Sequence, residues 1–314
     1  MSKAVNVSLK VGGYQISGFD DVEVGKSLYN LANMARLSFY EKDDHDLLAV
    51  KKIIKGKAEA VVYFDKQPVV SGYIYEPAPG LGAEGAAFET VVTSPIAKYI
   101  GQSAEKGKTY YNQSAAAVLA DLCPDIRLET RSSKFLPKFV TYGFEHIDGI
   151  IQKFCRKTDS VIYSGPLGQL IIDERSAEAA IAGTIATGQN VLSIGRVETN
   201  DDAVVIVGQQ PLDDNISLDT AVCSKITSAG SGKKRFFYGD DISPSAINAL
   251  KFWSKRVPVS IPNWFDNAGN LLELNKWYKA VDAWHGLDEP MRLCSLVFRL
   301  NKKDGYSADL TLEV

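Results

Sequence analysis

The chain has 314 residues, of which 45% are hydrophobic and 23% are charged, so it has enough apolar side chains for a sizeable globular core. Its 35 basic and 38 acidic residues give a net charge of -3, which provides no electrostatic reason to expect stable binding to nucleic acid or anionic lipid. The length alone suggests about two domains. No segment is apolar and long enough to predict a membrane span, and the start MSKAVNVSLKV is not expected to be a secretory signal.

The opening region alternates apolar and polar residues, which is typical of half-buried strands. The first such strand places one apolar set on one face, and this set is Val5, Val7, Leu9 and Val11. A turn at Gly12 and Gly13 follows it. Further strands are predicted at residues 14–17, 22–24, 36–40, 58–64 and 69–75. Together they predict a β meander.

The period changes in the middle of the chain. Residues 95–104 are expected to be a short helical or extended connector, and residues 114–123 have the apolar spacing of a helix that Pro124 ends. A second helix is predicted from an apolar stripe made of Phe144, Ile147, Ile151, Phe154 and Cys155. A hairpin then turns at Gly165 to Gly168, so the middle of the chain is predicted to be a small α/β module.

The last part of the chain returns to strand patterns. Strands are predicted at residues 191–197, 204–208, 257–261, 271–281, 294–300 and 306–314, and residues 225–234 are expected to be a flexible loop. Ser243 and Pro244 predict the start of a helix whose one face carries Ile247, Leu250 and Trp253. In the final strand apolar residues alternate with a polar set, which is Ser307, Asp309, Thr311 and Glu313.

Two glycine motifs resemble nucleotide sites. Gly80 to Gly85 fits the G-x-G-x-x-G pattern, but the following AAFETVVTS is a strand pattern, so no helix N-terminus would hold a pyrophosphate. We interpret this motif as the tip of a loop. Gly230 to Lys234 ends like a phosphate loop, yet Thr227 replaces the required glycine and Lys234 replaces the magnesium-binding hydroxyl. A basic loop is the better interpretation.

The candidates for metal binding and catalysis are weak. The run Asp43-Asp44-His45-Asp46 lacks calcium-loop spacing and predicts a solvated acidic loop, while His146 and His285 have no ligand at a suitable spacing. Asp173 and Glu174 close a hairpin strand and are expected to face water. No catalytic, cofactor-binding or metal-binding residue is therefore predicted, and the chain is not expected to be an enzyme.

The cysteines and tryptophans also have ordinary interpretations. Four cysteines without a C-x-x-C pair are expected to be reduced, buried thiols, and they are Cys123, Cys155, Cys223 and Cys294. Five late aromatic residues could stack on sugars, although packing in a core or a subunit interface is the commoner use. They are Trp253, Trp264, Trp277, Tyr278 and Trp284.

Six stretches, taken in order, resemble the baseplate hub proteins of contractile-tailed phages, the Mu-like tail protein and late control protein D group. The most family-like stretch is LPKFVTYGFEHIDGIIQKFCRKTDSVIYSGPLGQLIIDE, an extended segment followed by a helix and a hairpin. The others are SLKVGGYQISGFDDVEVGKSL, VVSGYIYEPAP, NVLSIGRVETNDDAVVIVGQQ, NWFDNAGNLLELNKWYKAV and RLCSLVFRLNKKDGYSADLTLEV. No single motif is specific, and it is their order and spacing that carry the resemblance.

The resemblance implies an α+β, mainly β fold with two tail-tube-like β-barrel domains separated by the small α/β module. The implied boundaries are 1–94, 95–180 and 181–314. It also implies a structural homotrimer with pseudo-sixfold symmetry, which joins the tail tube or tube-initiator protein to the central spike and contacts the baseplate wedge proteins. DNA would only pass through its lumen, there would be no membrane insertion, and the protein would be made in the host cytoplasm and reside in the virion.

Two alternatives remain open from the sequence. The tryptophans could serve a carbohydrate-binding tail accessory protein, and a baseplate-associated cell-wall hydrolase is the other possibility. If the chain forms a conduit, its mild acidity would suit a lumen that repels DNA phosphates.

Overall fold

The computed structural model describes residues 5–41, 52–82, 85–174, 180–195, 197–199, 204–208, 234–238, 255–266 and 269–314. Strands make up most of this part of the chain, which confirms the predicted mainly β, α+β class. The two described α-helices both lie in the middle of the chain, and they are α1 (Ala115–Leu122) and α2 (Ile147–Thr158).

The first twelve strands precede residue 175 and are β1 (Val7–Val11), β2 (Tyr14–Ser17), β3 (Asp21–Ser27), β4 (Met34–Glu41), β5 (Glu59–Phe64), β6 (Gln67–Gly82), β7 (Gly85–Thr93), β8 (Lys108–Ser114), β9 (Leu128–Thr130), β10 (Phe135–Thr141), β11 (Ser160–Ser164) and β12 (Leu170–Glu174). The later strands are β13 (Ile181–Ala186), β14 (Ser193–Ile194), β15 (Glu198–Thr199), β16 (Val204–Gly208), β17 (Lys234–Tyr238), β18 (Lys255–Ile261), β19 (Trp277–Asp282), β20 (Leu287–Asn301) and β21 (Gly305–Glu313).

Most strands belong to one 14-stranded sheet, whose main path runs β14-β18-β21-β20-β3-β4-β7-β6-β5-β1-β2. Three further strands are attached beside this path, with β13 pairing β19, β19 also pairing β20, and β15 pairing β18. Smaller sheets are formed by β11-β12-β9, by β10-β8 and by the parallel pair β16-β17.

The predicted meander is wrong in its strand order. β4 pairs β7 along its whole length, from Met34 with Thr93 to Glu41 with Ala86, whereas a meander would place it beside β5. β2 pairs β1 but not the next strand, β3. Alternation in the sequence fixes the face to which a side chain points, but it does not specify which strand lies alongside. The long β6–β7 hairpin is therefore inserted between β4 and β5.

β3 and β20 connect the two ends of the chain. They pair antiparallel from Ser27 with Ser295 to Asp21 with Asn301, so strands from both predicted outer domains share hydrogen bonds in one sheet. Within the described residues the main path has two free ends, at β14 and β2. The three-part division at residues 94 and 180 stays a prediction.

Trp264 lies at the centre of the main core. Its ring stacks on Phe64 with centroids 4.2 Å apart and meets Phe298 and Tyr306 at 5.5 and 5.1 Å. The indole N–H donates to the carbonyl oxygen of Ser307 at 2.8 Å, so the polar atom of this buried ring is satisfied. These contacts join the N-terminal strand β5 to β20 and β21.

The middle module has its own core. Helix α1 lies where the apolar spacing of residues 114–123 predicted it. It begins after Ser114, whose hydroxyl accepts a hydrogen bond from the Ala117 N–H, and it buries Val118 and Leu119. Helix α2 buries Ile147, Ile150, Ile151, Phe154 and Thr158.

The predicted apolar stripe of α2 is wrong for one residue. Phe144 lies before the helix, has a left-handed backbone with φ of 66°, and is 84% exposed. The predicted hairpin is confirmed by the pairing of β11 with β12 around Gly165 to Gly168.

Several other predictions have mixed outcomes. Of the strand predicted at 191–197, the described residues form only the two-residue strand β14, and β15 follows at Glu198–Thr199. The hairpin of β20 and β21 is confirmed. The predicted loop at 225–234 overlaps the described residues only at Lys234, which begins β17. The helix predicted from Ser243 lies outside the described residues. Among the cysteines, Cys123, Cys155 and Cys294 are free thiols, and burial raises the pKa of Cys123 to about 12.

Candidate functional site

The three chain regions meet at a set of polar side chains that we call the junction. It consists of Tyr29, Asp173, Arg256, Asn275, Arg292 and Glu313. Tyr29 comes from the segment between β3 and β4, Asp173 from the module hairpin, and the others from the C-terminal region. These side chains come together because strands that are distant in the sequence pair with one another, chiefly β20 with β21 and β20 with β3.

The centre of the junction is a buried ion pair between Arg292 and Glu313, whose side chains are only 2% and 3% exposed. Glu313 also accepts a hydrogen bond from the Tyr29 hydroxyl and lies 3.7 Å from the Arg256 guanidinium. The Arg256 guanidinium in turn lies 4.9 Å from the centroid of the Tyr29 ring. Because a buried charge needs partners, these four side chains depend on one another.

Asn275 connects this ion pair to the middle module. Its amide nitrogen donates to the Asp173 carboxylate at 3.1 Å and to the Glu174 carbonyl at 3.3 Å, and its amide oxygen lies 3.5 Å from Nη1 of Arg292. Its backbone is left-handed, with φ of 61°, a conformation that asparagine tolerates better than most residues. One side chain therefore links β12 to β20.

Asp173 has further partners within the module. The Tyr163 hydroxyl donates to it at 3.4 Å, and the Arg131 guanidinium lies 3.7 Å away. Burial raises the pKa of Tyr163, and the Asp173 carboxylate raises it further. The prediction that Asp173 and Glu174 simply face water is wrong, because packing of the hairpin against Asn275 leaves both half-buried.

The module is also tied to the first strands of the chain. The Asn33 side-chain amide donates to the Ser164 carbonyl at 2.9 Å, and the Ser164 hydroxyl donates to the Leu31 carbonyl at 2.6 Å. All three side chains are buried. The hairpin β11–β12 is thus held by hydrogen bonds to both the N-terminal and the C-terminal region.

A second polar feature, which we call the charge belt, crosses the exposed face of the large sheet. Arg299 on β20 reaches Glu23 on β3 at 2.6 Å and Asp309 on β21 at 2.8 Å, and Arg36 on β4 pairs Glu89 on β7 at 3.2 Å. These five side chains define the belt. It spans adjacent strands across the β3–β20 connection, on the face opposite the core.

Lys26 lies at the same connection. Its ammonium is 5.8 Å from the centroid of the Phe298 ring, and part of the side chain stays exposed. Burial of the ammonium lowers the pKa of Lys26 from 10.5 to about 8, and nearby Glu273 partly opposes that shift.

No protein-family model matches the sequence, and no curated protein matches it. The solved structure of a tail protein from Neisseria meningitidis MC58 aligns with a TM-score of 0.80 at 15% identity, covering 99% of this chain and 97% of that one. The 43 kDa tail protein of prophage MuSo2 from Shewanella oneidensis aligns with a TM-score of 0.76 at 16% identity, covering 98% of both chains.

This chain has the fold of phage tail proteins. A type VI secretion system component of Escherichia coli, described as structurally similar to the bacteriophage T4 tail proteins gp27 and gp5, also aligns. Its TM-score is 0.58 at 12% identity, over 97% of this chain and 76% of that one. The similarity to a phage tail family that the sequence indicated is thus present at the level of the fold.

Within this tail-protein fold, the glycine motif at Gly80 to Gly85 lies in the β6–β7 hairpin. Gly82 pairs Gly85, which begins strand β7, so a strand and not a helix follows this motif and no helix N-terminus is there to hold a pyrophosphate. The motifs at Asp43 to Asp46 and at Gly230 to Lys233 lie outside the described residues.

The two described histidines have structural partners. His146 immediately precedes α2, and its Nδ1 lies 3.2 Å from the Gly101 carbonyl oxygen. His285 Nδ1 lies 2.5 Å from the Asp282 carboxylate, which also accepts a 2.6 Å hydrogen bond from Thr187. The bond from Thr187, followed by that from His285, lowers the pKa of Asp282.

The described residues contain no group of three or more histidine, cysteine, aspartate or glutamate side chains arranged to hold a metal ion. Nor does this part of the chain include a helix long and apolar enough to cross a membrane.

The aromatic residues proposed for a sugar groove have separate environments. Trp264 and Tyr278 are buried, whereas Trp284 is 90% exposed in the turn between β19 and β20. Trp253 lies outside the described residues. The commoner use, packing in the core, is confirmed for Trp264 and Tyr278.

Sequence reasoning missed the centre of the junction. The alternation of the last strand grouped Glu313 with the polar residues of that strand, but it is among the most buried charged residues. A signal was present in MRLCSLVF, where Arg292 interrupts a continuous apolar strand. A charged residue in such a run needs a partner of opposite charge, and the last acidic residue of the neighbouring strand was a candidate.

Proposed function

We propose that the chain is the structural hub of a contractile phage-tail baseplate, a homotrimer that joins the hexameric tail tube to the trimeric spike. The observation that carries the proposal is the near-complete, two-way alignment with two phage tail proteins. The order of the family-like stretches supports the narrower assignment to the hub group. In a trimer, two tube-like barrel domains per chain would present six barrels to the tube, which is how threefold symmetry would meet sixfold symmetry.

The role is mechanical and non-enzymatic. An adaptor between two rigid assemblies must keep the orientation of its parts under load. The β3–β20 pairing and the junction supply that rigidity, because separating the module from the sheet would expose the buried Arg292–Glu313 pair and the Asn275 bonds. The proposed partners are a tube or tube-initiator protein, the central spike and the wedge proteins of the baseplate, and the proposed location is the virion tail.

The hub would also form part of the DNA conduit, and the charge belt is the surface we assign to its lumen. The belt has three carboxylates and two guanidinium groups, and each guanidinium is already paired with an acid. Paired cations hold DNA phosphates weakly, and the excess of acid repels them, so DNA would slide without sticking. A reconstruction of the assembled tail with a positively charged lumen, or with the belt on the outside, would contradict this assignment.

The first test is the mass of the purified protein by light scattering coupled to size-exclusion chromatography. We expect three times the chain mass of 34.3 kDa. Cryo-electron microscopy of the trimer mixed with tube protein should then show six barrel domains facing the tube. A monomer at every concentration, with no ring formed on the tube protein, would contradict the hub proposal.

One observation favours a second candidate, a carbohydrate-binding tail accessory protein. Trp284 is 90% exposed, and an indole ring in that state can stack on a sugar. Binding on a glycan array that is lost in Trp284→Ala would support this candidate. The third possibility, a cell-wall hydrolase, would require loss of turbidity from a peptidoglycan suspension.

A further inference from the structure

Strand β2 is an outer edge of the large sheet in the part of the chain that the structure describes. It pairs on one side with β1, from Val11 with Tyr14 to Ser8 with Ser17, and its other side has no described strand beside it. The side chains are open as well: Tyr14 is 59% exposed, and Gln15 and Ser17 are also exposed.

The side chains of this short edge include none of those that commonly protect an edge strand from association. Exposed edges of soluble proteins usually carry a lysine, a proline or an inward-pointing charge. The sequence of β2 is YQIS, which has none of these. An uncharged edge of this kind offers its unpaired backbone groups to a further strand.

The turn geometry determines which backbone groups are available. Gly12 and Gly13 have φ of 55° and 84°, as in a two-residue turn of the type that closes right-handed hairpins. The residues that flank such a turn, Val11 and Tyr14, exchange both backbone hydrogen bonds, and the pattern then alternates along the ladder. Tyr14 and Ile16 therefore bond to β1, whereas the N–H and C=O of Gln15 and Ser17 point outward.

We propose that this outward edge pairs with an edge strand of a second copy of the same chain. The opposite end of the same sheet is also free among the described residues, where β14 and β15 each pair only β18. A sheet with two open ends can add copies head to tail, and such a contact closes into a ring when the rotation between copies permits. The proposal rests on the trimer of the proposed function and names the strand through which it closes.

A concave surface beside the edge would receive the side chains of the incoming copy. An open groove of about 610 Å³ lies next to the β1–β2 turn and is lined by Gly12, Gly13, Tyr63, Tyr73 and Leu167, among others. Tyr73 and Leu167 are 40% and 54% exposed, so the groove offers apolar surface that a second copy would bury.

The test compares Gln15→Pro with Gln15→Ala. Both variants lose the side-chain bond from Gln15 to Ser8, but only proline removes the outward N–H, and an edge strand tolerates proline at a position that does not bond to its neighbour. We expect Gln15→Ala to remain trimeric and Gln15→Pro to dissociate at about tenfold higher protein concentration or more. Circular dichroism spectra that match the wild type would show that both variants fold.

The outcomes separate this inference from the trimer itself. If the wild type and Gln15→Pro are equally stable trimers, β2 is not the contact and the hub proposal stands. If the wild type is a monomer at every concentration, both proposals fail. Should Gln15→Pro not fold, hydrogen exchange of the wild type decides: slow exchange of the Gln15 and Ser17 amides that becomes fast on dilution supports the contact, and fast exchange in the trimer overturns it.

Discussion

The Trp264 core and the junction hold the same strands together by different means. The core is apolar apart from a few polar atoms that find hydrogen-bond acceptors within it, such as the Trp264 indole N–H to the Ser307 carbonyl and the Tyr306 hydroxyl to the Val5 carbonyl. The junction buries opposite charges that depend on residues as far apart in the chain as Tyr29 and Glu313. Apolar packing gains free energy with any well-fitting neighbour, whereas a buried ion pair is stable only in one arrangement. The core therefore supplies most of the stability, and the junction fixes the orientation of the module.

The largest expected losses of stability come from substitutions in the Trp264 core and in the junction. Trp264→Ala should lower the free energy of unfolding by about 3–5 kcal/mol, because it leaves a cavity between Phe64, Phe298 and Tyr306. Chemical denaturation monitored by fluorescence measures the loss. Trp284→Ala is the matched control, since this ring is 90% exposed and its loss should change stability by less than about 0.5 kcal/mol. Equal losses in both variants would contradict the assignment of Trp264 to the core.

A double-mutant cycle distinguishes the junction from the core. Glu313→Leu should cost about 3–5 kcal/mol, because it leaves the buried Arg292 charge without its closest partner. Adding Arg292→Met should recover most of that loss, since neither residue then carries a buried charge. By contrast, removing a second core side chain should not recover the stability that is lost in Trp264→Ala. A double variant no more stable than Glu313→Leu would show that the ion pair is not the dominant interaction.

The Lys26 ammonium predicts a specific dependence of stability on pH. Its pKa in the folded protein is lowered from 10.5 to about 8, so between these values the unfolded chain binds more protons than the folded one. Stability should therefore rise with pH in that window, by up to about 1 kcal/mol per pH unit. Lys26→Met should be more stable than the wild type at pH 7 and should not show this rise. A parallel pH profile in both proteins would contradict the prediction.

The smallest expected effect tests the link between the module and the sheet. Asn275→Gly should cost about 1–2 kcal/mol through loss of the bonds to Asp173 and Glu174. Asn275→Ala should cost about 1 kcal/mol more, because alanine is strained at a φ of 61°. Thermal denaturation of the two variants separates the side-chain and backbone contributions. Identical denaturation midpoints for the two variants would contradict the predicted backbone strain of alanine at this position.

Much of the secondary structure was predictable from local patterns. The strands around Val22, Val62 and Leu310 alternate buried and less buried residues as their sequences do. Both described helices occur where they were predicted, one after Ser114 and the other along the apolar stripe around Ile151. Phe144 was assigned to a helix because it fits the spacing, but it lies in the turn between β10 and α2, where its backbone is left-handed. The spacing of apolar residues does not reveal a residue with a left-handed backbone.

The sequence by itself determined the mainly β composition, the turn positions, the module between the outer regions and the resemblance to a tail family. These follow from side-chain periodicity and from backbone preferences of glycine and proline, which act over a few residues. Only the tertiary structure decided that β4 pairs β7, that β3 pairs β20 and that Glu313 is buried beside Arg292. Those contacts join residues up to hundreds of positions apart, and their free energy depends on the packing of the whole sheet.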